Sequence, residues 1–203
     1  ATSGNITVAG TNSCGNGLVS AGYPVTVSVL PVAAGSITGT AVVCQGQNGV
    51  NYSTPAIANA TDYIWSLPSG ATIVSGANTN SITVAFSTSA ISGNITVQGT
   101  NACGNGIASA NYPVTVGTLS VAPTSISGTS AICEGTSASL SVVGGLSGTG
   151  ATAQWFTDSC GGTSAGTGNS ITVSPTINTT YYVRYGGRCN TTACVAVNVT
   201  VNP

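Results

Sequence analysis

SGNITVQGTNACGNGIASANYPVTV, residues 92–116, decides the fold. It opens with apolar Ile95 and Val97 alternating with polar Asn94 and Thr96, the period of a strand with one buried face. Gly104, Asn105 and Gly106 interrupt it as a turn, and Tyr112 to Val116 resumes the alternation. Residues 3–27, SGNITVAGTNSCGNGLVSAGYPVTV, are the same segment displaced by 89 positions, with 20 of 25 residues identical. A weaker copy, TYYVRYGGRCNTTACVAVNVTV, occupies residues 180–201. The chain is therefore read as repeats, each one unit of supersecondary structure that packs on itself and its neighbours.

The repeat gives three segments. Residues 1–30 are the closing strands of one module, residues 35–117 a complete module, and residues 122–203 a second, divergent one. Brief joins carrying Pro31 and Pro123 predict beads held close together. The first segment reads most simply as part of a longer chain. The alternative is completion by strands from another molecule.

Other stretches repeat the message. SITVAF (81–86), SITV (170–173) and VAVNVTV (195–201) alternate with period 2, and LPSG (67–70), SG (75–76) and GG (161–162) separate them. No window shows apolar spacing at 3.6. Short alternating strands between turn signals predict an all-β chain of tandem β-sandwiches joined by short linkers. Trp65 and Trp155 each stand mid-module, with a cysteine upstream (Cys44, Cys133) and cysteines downstream (Cys103; Cys189 and Cys194). That order is the Ig-like one, in which the indole fills the space between the sheets, so both tryptophans are assigned to the core.

Composition excludes most chemistry. Of 203 residues only Asp62, Glu134, Asp158, Arg184 and Arg188 are charged, and there is no His, Lys or Met. Two arginines make no basic patch for phosphates, so nucleic acid is not an expected partner. Three scattered carboxylates without an imidazole offer neither general acid–base pairs nor a hard-cation cage, so no enzyme activity, cofactor or metal is expected. Apolar runs are interrupted before about 18 residues, which argues against a membrane-spanning helix. The charges of the last module are candidate pairs, Asp158 with Arg184 and Glu134 with Arg188.

Seven cysteines at repeating positions read as disulfides formed in an oxidising, extracellular compartment. Zinc binding would need histidine or a C-x-x-C pair, and neither occurs. Counting favours bonds within modules, Cys44–Cys103 in the first complete module; the four cysteines of the last allow three pairings, of which Cys133–Cys189 with Cys160–Cys194 follows by equivalence with Cys44–Cys103. Cys14, the equivalent of Cys103, would pair outside the chain. A difficulty attends the first pairing. Standard Ig topology puts Cys44 and Cys103 toward opposite ends, whereas a disulfide needs Cα atoms within about 7 Å. The spacings 14 to 44 and 103 to 133 are both 30, so bonds across the joins stay open.

VCQG (43–46), YIWSLPSGA (63–71), TNSI (79–82) and GTNACG (99–104) resemble the PKD-like domains of very large Bacteroidota surface proteins. ICEGT (132–136), WFTDSCGGT (155–163), SITVSP (170–175) and TYYV (180–183) resemble the Ig-like domains found beside them. The resemblance covers nearly the whole chain. It implies export by the type IX system, location at the cell surface, and a non-enzymatic structural or adhesive segment of an extracellular filament or giant repeat adhesin, including those used in gliding. Its partners would be neighbouring modules, identical chains in a fibre, or surface glycans. The alternative is a carbohydrate-binding or spacer module of a secreted polysaccharide-degrading enzyme. That reading predicts exposed aromatic faces at Tyr52, Tyr63 or Tyr185.

Overall fold

The computed structural model describes residues 2–203, and every regular element among them is a strand. The first segment holds β1 (Gly4–Ile6), β2 (Thr11–Asn12), β3 (Gly15–Asn16) and β4 (Tyr23–Val25). The next module comprises β5 (Thr38–Gly39), β6 (Val42–Cys44), β7 (Val50–Ser53), β8 (Asp62–Ser66), β9 (Ala71–Ser75), β10 (Ser81–Phe86), β11 (Gly93–Asn101), β12 (Gly104–Asn105) and β13 (Tyr112–Gly117). The last comprises β14 (Ser125–Gly128), β15 (Ala131–Cys133), β16 (Ala138–Val143), β17 (Thr152–Thr157), β18 (Thr163–Thr167), β19 (Ser170–Val173), β20 (Thr179–Gly186) and β21 (Val195–Asn202).

Each complete module is a two-sheet sandwich. One sheet runs β5-β7-β10-β9; the other runs β12-β11-β13-β6, with β8 on the free side of β11. The last module repeats the plan as β14-β16-β19 and β15-β21-β20-β17-β18. Period-2 alternation puts one face of each strand inside. Ile82, Val84 and Phe86 of β10 meet Ile95 and Val97 of β11, with Val114 of β13, in one core. Leu140, Trp155, Val183 and Val199 make the other.

Two strand pairs run parallel. β6 lies parallel to β13, with Cys44 opposite Gly117. β15 lies parallel to β21, with Cys133 opposite Asn202. Each module's short cysteine-bearing strand is thus zipped to that module's last strand, at the end where the chain leaves.

Trp155 is fully buried and donates from Nε1 to the Gly168 carbonyl at 2.8 Å. Trp65 is only half-buried; it packs against the edge of its core and donates to the Thr79 carbonyl at 2.9 Å. The difference follows from the neighbouring strand: β17 is flanked on both sides by β18 and β20, whereas β8 pairs only β11.

Tyr52 and Tyr112 meet edge to face with centroids 6.0 Å apart. Their hydroxyls donate to the Thr40 and Gly39 carbonyls at 2.9 and 2.6 Å. Burial, and then the neighbouring Tyr112, push the Tyr52 phenol up to about 12; burial also raises Tyr181. The fold therefore favours neutral tyrosine, and the sign follows. Stability is intact below the unfolded phenol's value near 10 and is lost as pH rises from about 10 through about 12. With no histidine and three carboxylates, urea midpoints are expected to stay flat between about pH 5 and 9 and to fall above about 10. Tyr52→Phe should remove much of that alkaline fall when thiols are blocked; a sloping midpoint near neutrality would contradict the account.

Candidate functional site at the module junction

The join between modules is stitched rather than loose. Thr118 N–H donates to Thr149 Oγ1 at 2.9 Å and Thr149 N–H donates back to Thr118 Oγ1 at 3.1 Å. Ser120 N–H donates to Asn190 Oδ1 at 2.8 Å, and Asn190 Nδ2 donates to the Ser120 carbonyl at 2.9 Å. Asn190, in the turn after β20, thus satisfies both backbone groups of a residue that no strand could pair. Arg188 reaches across to donate to the Val42 carbonyl at 3.0 Å.

A disulfide closes this junction. Cys44, at the end of β6, is bonded to Cys189, in the turn after β20, with Cα atoms 5.4 Å apart and a separation of 145 positions along the chain. Gly117 faces the bridge: a Cβ there would stand 2.8 Å from Cys189 Sγ, closer than atoms can approach without displacing the sulfur. In the chain-entropy account a loop of this length restricts the unfolded state by about 5 kcal/mol. A shallow polar cleft of 470 Å³ opens beside the bridge, lined by Thr40, Gln45, Gln47 and Arg188 among others.

The second disulfide, Cys160–Cys194, lies within the last module, Cα atoms 5.9 Å apart. Cys14, Cys103 and Cys133 are free and exposed. The expected pairs Cys44–Cys103 and Cys133–Cys189 are corrected here. Cys103 and Cys189 sit in turns at the end where the chain enters a module. Cys44 and Cys133 sit opposite Gly117 and Asn202, at the end where it leaves. Members of one module are a sandwich length apart, while the exit of one module abuts the entrance of the next.

The turn carrying Cys103 is placed in the same way. Asn101 Nδ2 donates to the Val29 carbonyl of the preceding join at 2.8 Å. A Cβ on Gly106 would stand 2.7 Å from the Pro31 carbonyl oxygen, so the hairpin lies flat on the incoming chain. The junction asparagines Asn101 and Asn190 escaped sequence reading; their one signal is proximity to a repeat cysteine.

Residues 1–30 reproduce one hairpin of the complete module. Gly4 opposes Val25 as Gly93 opposes Val114, and Thr11 opposes Asn16 as Thr100 opposes Asn105. The turn hydrogen bond from Cys14 N–H to Asn12 Oδ1 matches that from Cys103 N–H to Asn101 Oδ1. The surroundings differ: β8, β6 and the facing sheet have no counterpart beside β1–β4 among the described residues. Ile6 and Val8 are 63% and 71% exposed, whereas their equivalents Ile95 and Val97 are 0% and 1%.

The remaining candidates disperse. Arg184 lies over the Phe156 ring, 5.0 Å from its centroid, and Arg188 turns to Val42; neither meets the carboxylate expected for it among the described residues. Tyr52 and Tyr185 are buried and Tyr63 is half-buried, its hydroxyl accepting the Ile57 N–H at 3.1 Å. These three present no aromatic platform to a sugar. Among the described residues no three metal-ligating side chains gather, and no helix is long and apolar enough to cross a membrane.

Residues 30–114 match the family model described as PKD-like domain, and residues 121–203 match the one described as Ig-like domain, CHU_C associated. No curated protein matches the sequence. Among solved structures, an I-band fragment of titin, I67–I69, superposes with a TM-score of 0.51 at 11% identity, covering 85% of this chain and 63% of that one. Extracellular domains 3–5 of Drosophila OTK give 0.49 at 15% identity, covering 92% and 66%. The chain thus spans less than two thirds of either, and at 11% identity the likeness to the titin fragment concerns the fold alone.

Proposed function

We propose that this tandem of a PKD-like and a CHU_C-associated Ig-like domain is a non-enzymatic, extracellular segment whose work is to extend and to hold, as part of a surface filament or repeat adhesin. The observation that carries the reading is the Cys44–Cys189 bond between two modules. A disulfide inside a module stabilises that module; one between modules fixes their relation and passes tension across the join. Two bonded pairs also favour an oxidising compartment.

The surface suits holding. With charge at 2% and net charge of -1, contact with neutral polar surfaces or with another copy meets little repulsion. Adhesion of this kind depends weakly on salt, because screening has little to act on. Beads coated with the chain are expected to hold to glass, cellulose and hydrophobic polymer with detachment forces unchanged between about 10 mM and about 500 mM salt. Beads that hold to none of these would leave no adhesive role, and retention on cellulose alone would favour a carbohydrate-binding module.

A further inference from the structure

We infer that Cys44–Cys189 is one link of a repeating series, in which the exit-strand cysteine of one module is bridged to the entrance-turn cysteine of the next. Three observations carry it. Cys133 occupies in the last module the place of Cys44: each ends a short strand paired in parallel with its module's final strand. Cys103 and Cys14 occupy the place of Cys189, in the turn after the long strand, and the turn of Cys103 is clasped to the incoming join through Asn101 as that of Cys189 is through Asn190. All three cysteines left free are exposed, and they are the ones whose counterparts under this rule lie outside the chain.

Cys133 is then the site for the entrance-turn cysteine of a module of this kind placed after it. Cys103 and Cys14 are sites for exit-strand cysteines of modules placed before them. The 2.8 Å approach at Gly117 leaves no room for a side chain such as that of Asn202, so a bridge at Cys133 requires the incoming turn to stand further out than Cys189 does. Each bond forms as two thiols release two protons and two electrons to a disulfide oxidant, which is reduced to two thiols.

The test extends the whole 203-residue chain at its C-terminus with a second copy of residues 118–203. Oxidation uses glutathione disulfide, free thiols are alkylated, and peptic peptides are mapped by mass spectrometry. The expected product joins Cys133 of the first copy to Cys189 of the second, with Cys44–Cys189 retained. The unextended chain, oxidised alongside, distinguishes the source of the partner: a ladder of covalent oligomers through Cys133 assigns it to separate copies, a monomer to a module in the same polypeptide. Cys133→Ser should leave the second copy's Cys189 open to alkylation without disturbing Cys44–Cys189. The inference is overturned if Cys133 stays alkylatable in the extended chain, or if the second copy's Cys189 bonds within its own module. Either result would leave the proposed adhesive role standing, since that rests on the bridge already present.

Discussion

Held by its two ends with both disulfides closed, the chain is expected to reach a contour of only about 200 Å on complete unfolding, against about 700 Å after reduction. The reason is the path that tension takes. It enters through residues 1–44, crosses the sulfur–sulfur bond to Cys189, and leaves through residues 189–203. The 144 residues between the bridged cysteines are shielded, which leaves 59 of 203 to extend. Both complete cores lie almost wholly within the shielded span. Single-molecule force spectroscopy reads the two lengths directly. A chain giving the long extension without reductant would show that the junction bond does not carry load.

Trp155→Ala is expected to cost the last module about 3–5 kcal/mol, a large part of what a domain of this size has to lose. Trp155 has no exposed surface and sits between Leu140, Val183 and Val199, so its removal opens a cavity that two hydrogen-bonded sheets cannot close. Its indole bond to Gly168 goes as well. Trp65→Ala should cost clearly less, because Trp65 is only partly buried at the edge of its core and its site can relax. Urea unfolding of each variant followed by circular dichroism reads the loss in the substituted module, while the remaining tryptophan reports the unsubstituted one. Equal losses would mean that the pair are equivalent core residues, as their sequence positions alone imply.

Much of this fold is written locally. SITVAF and GNITV alternate because one face must be buried, and Gly104 to Gly106 ends a strand because its backbone turns there, with φ at +126° at Gly104. The repeat carried the module plan to places where alternation is faint. What stayed hidden was set by three-dimensional ends. Which turn abuts which strand depends on the direction of every β-connection, and no local signal encodes that. Counting cysteines per module favoured Cys44–Cys103, although their separation along the sandwich already spoke against it. The arginines misled for a related reason: strand proximity gave each a carboxylate neighbour, but Arg184 lies over the Phe156 ring and Arg188 turns to the Val42 carbonyl. Trp65 and Trp155 share a sequence slot and differ in burial because one module carries an extra flanking strand, β18.

The parallel alliance of each short cysteine-bearing strand with its module's last strand has a mechanical meaning apart from the cysteines. When β6 is drawn by its leading end and β13 by its trailing end, the two slide past each other along their length. Their hydrogen bonds then share the load and rupture together in shear, whereas a hairpin pulled open surrenders them one by one, like a zip. β15 and β21 stand in the same relation. Even a fully reduced chain would therefore yield abruptly rather than creep.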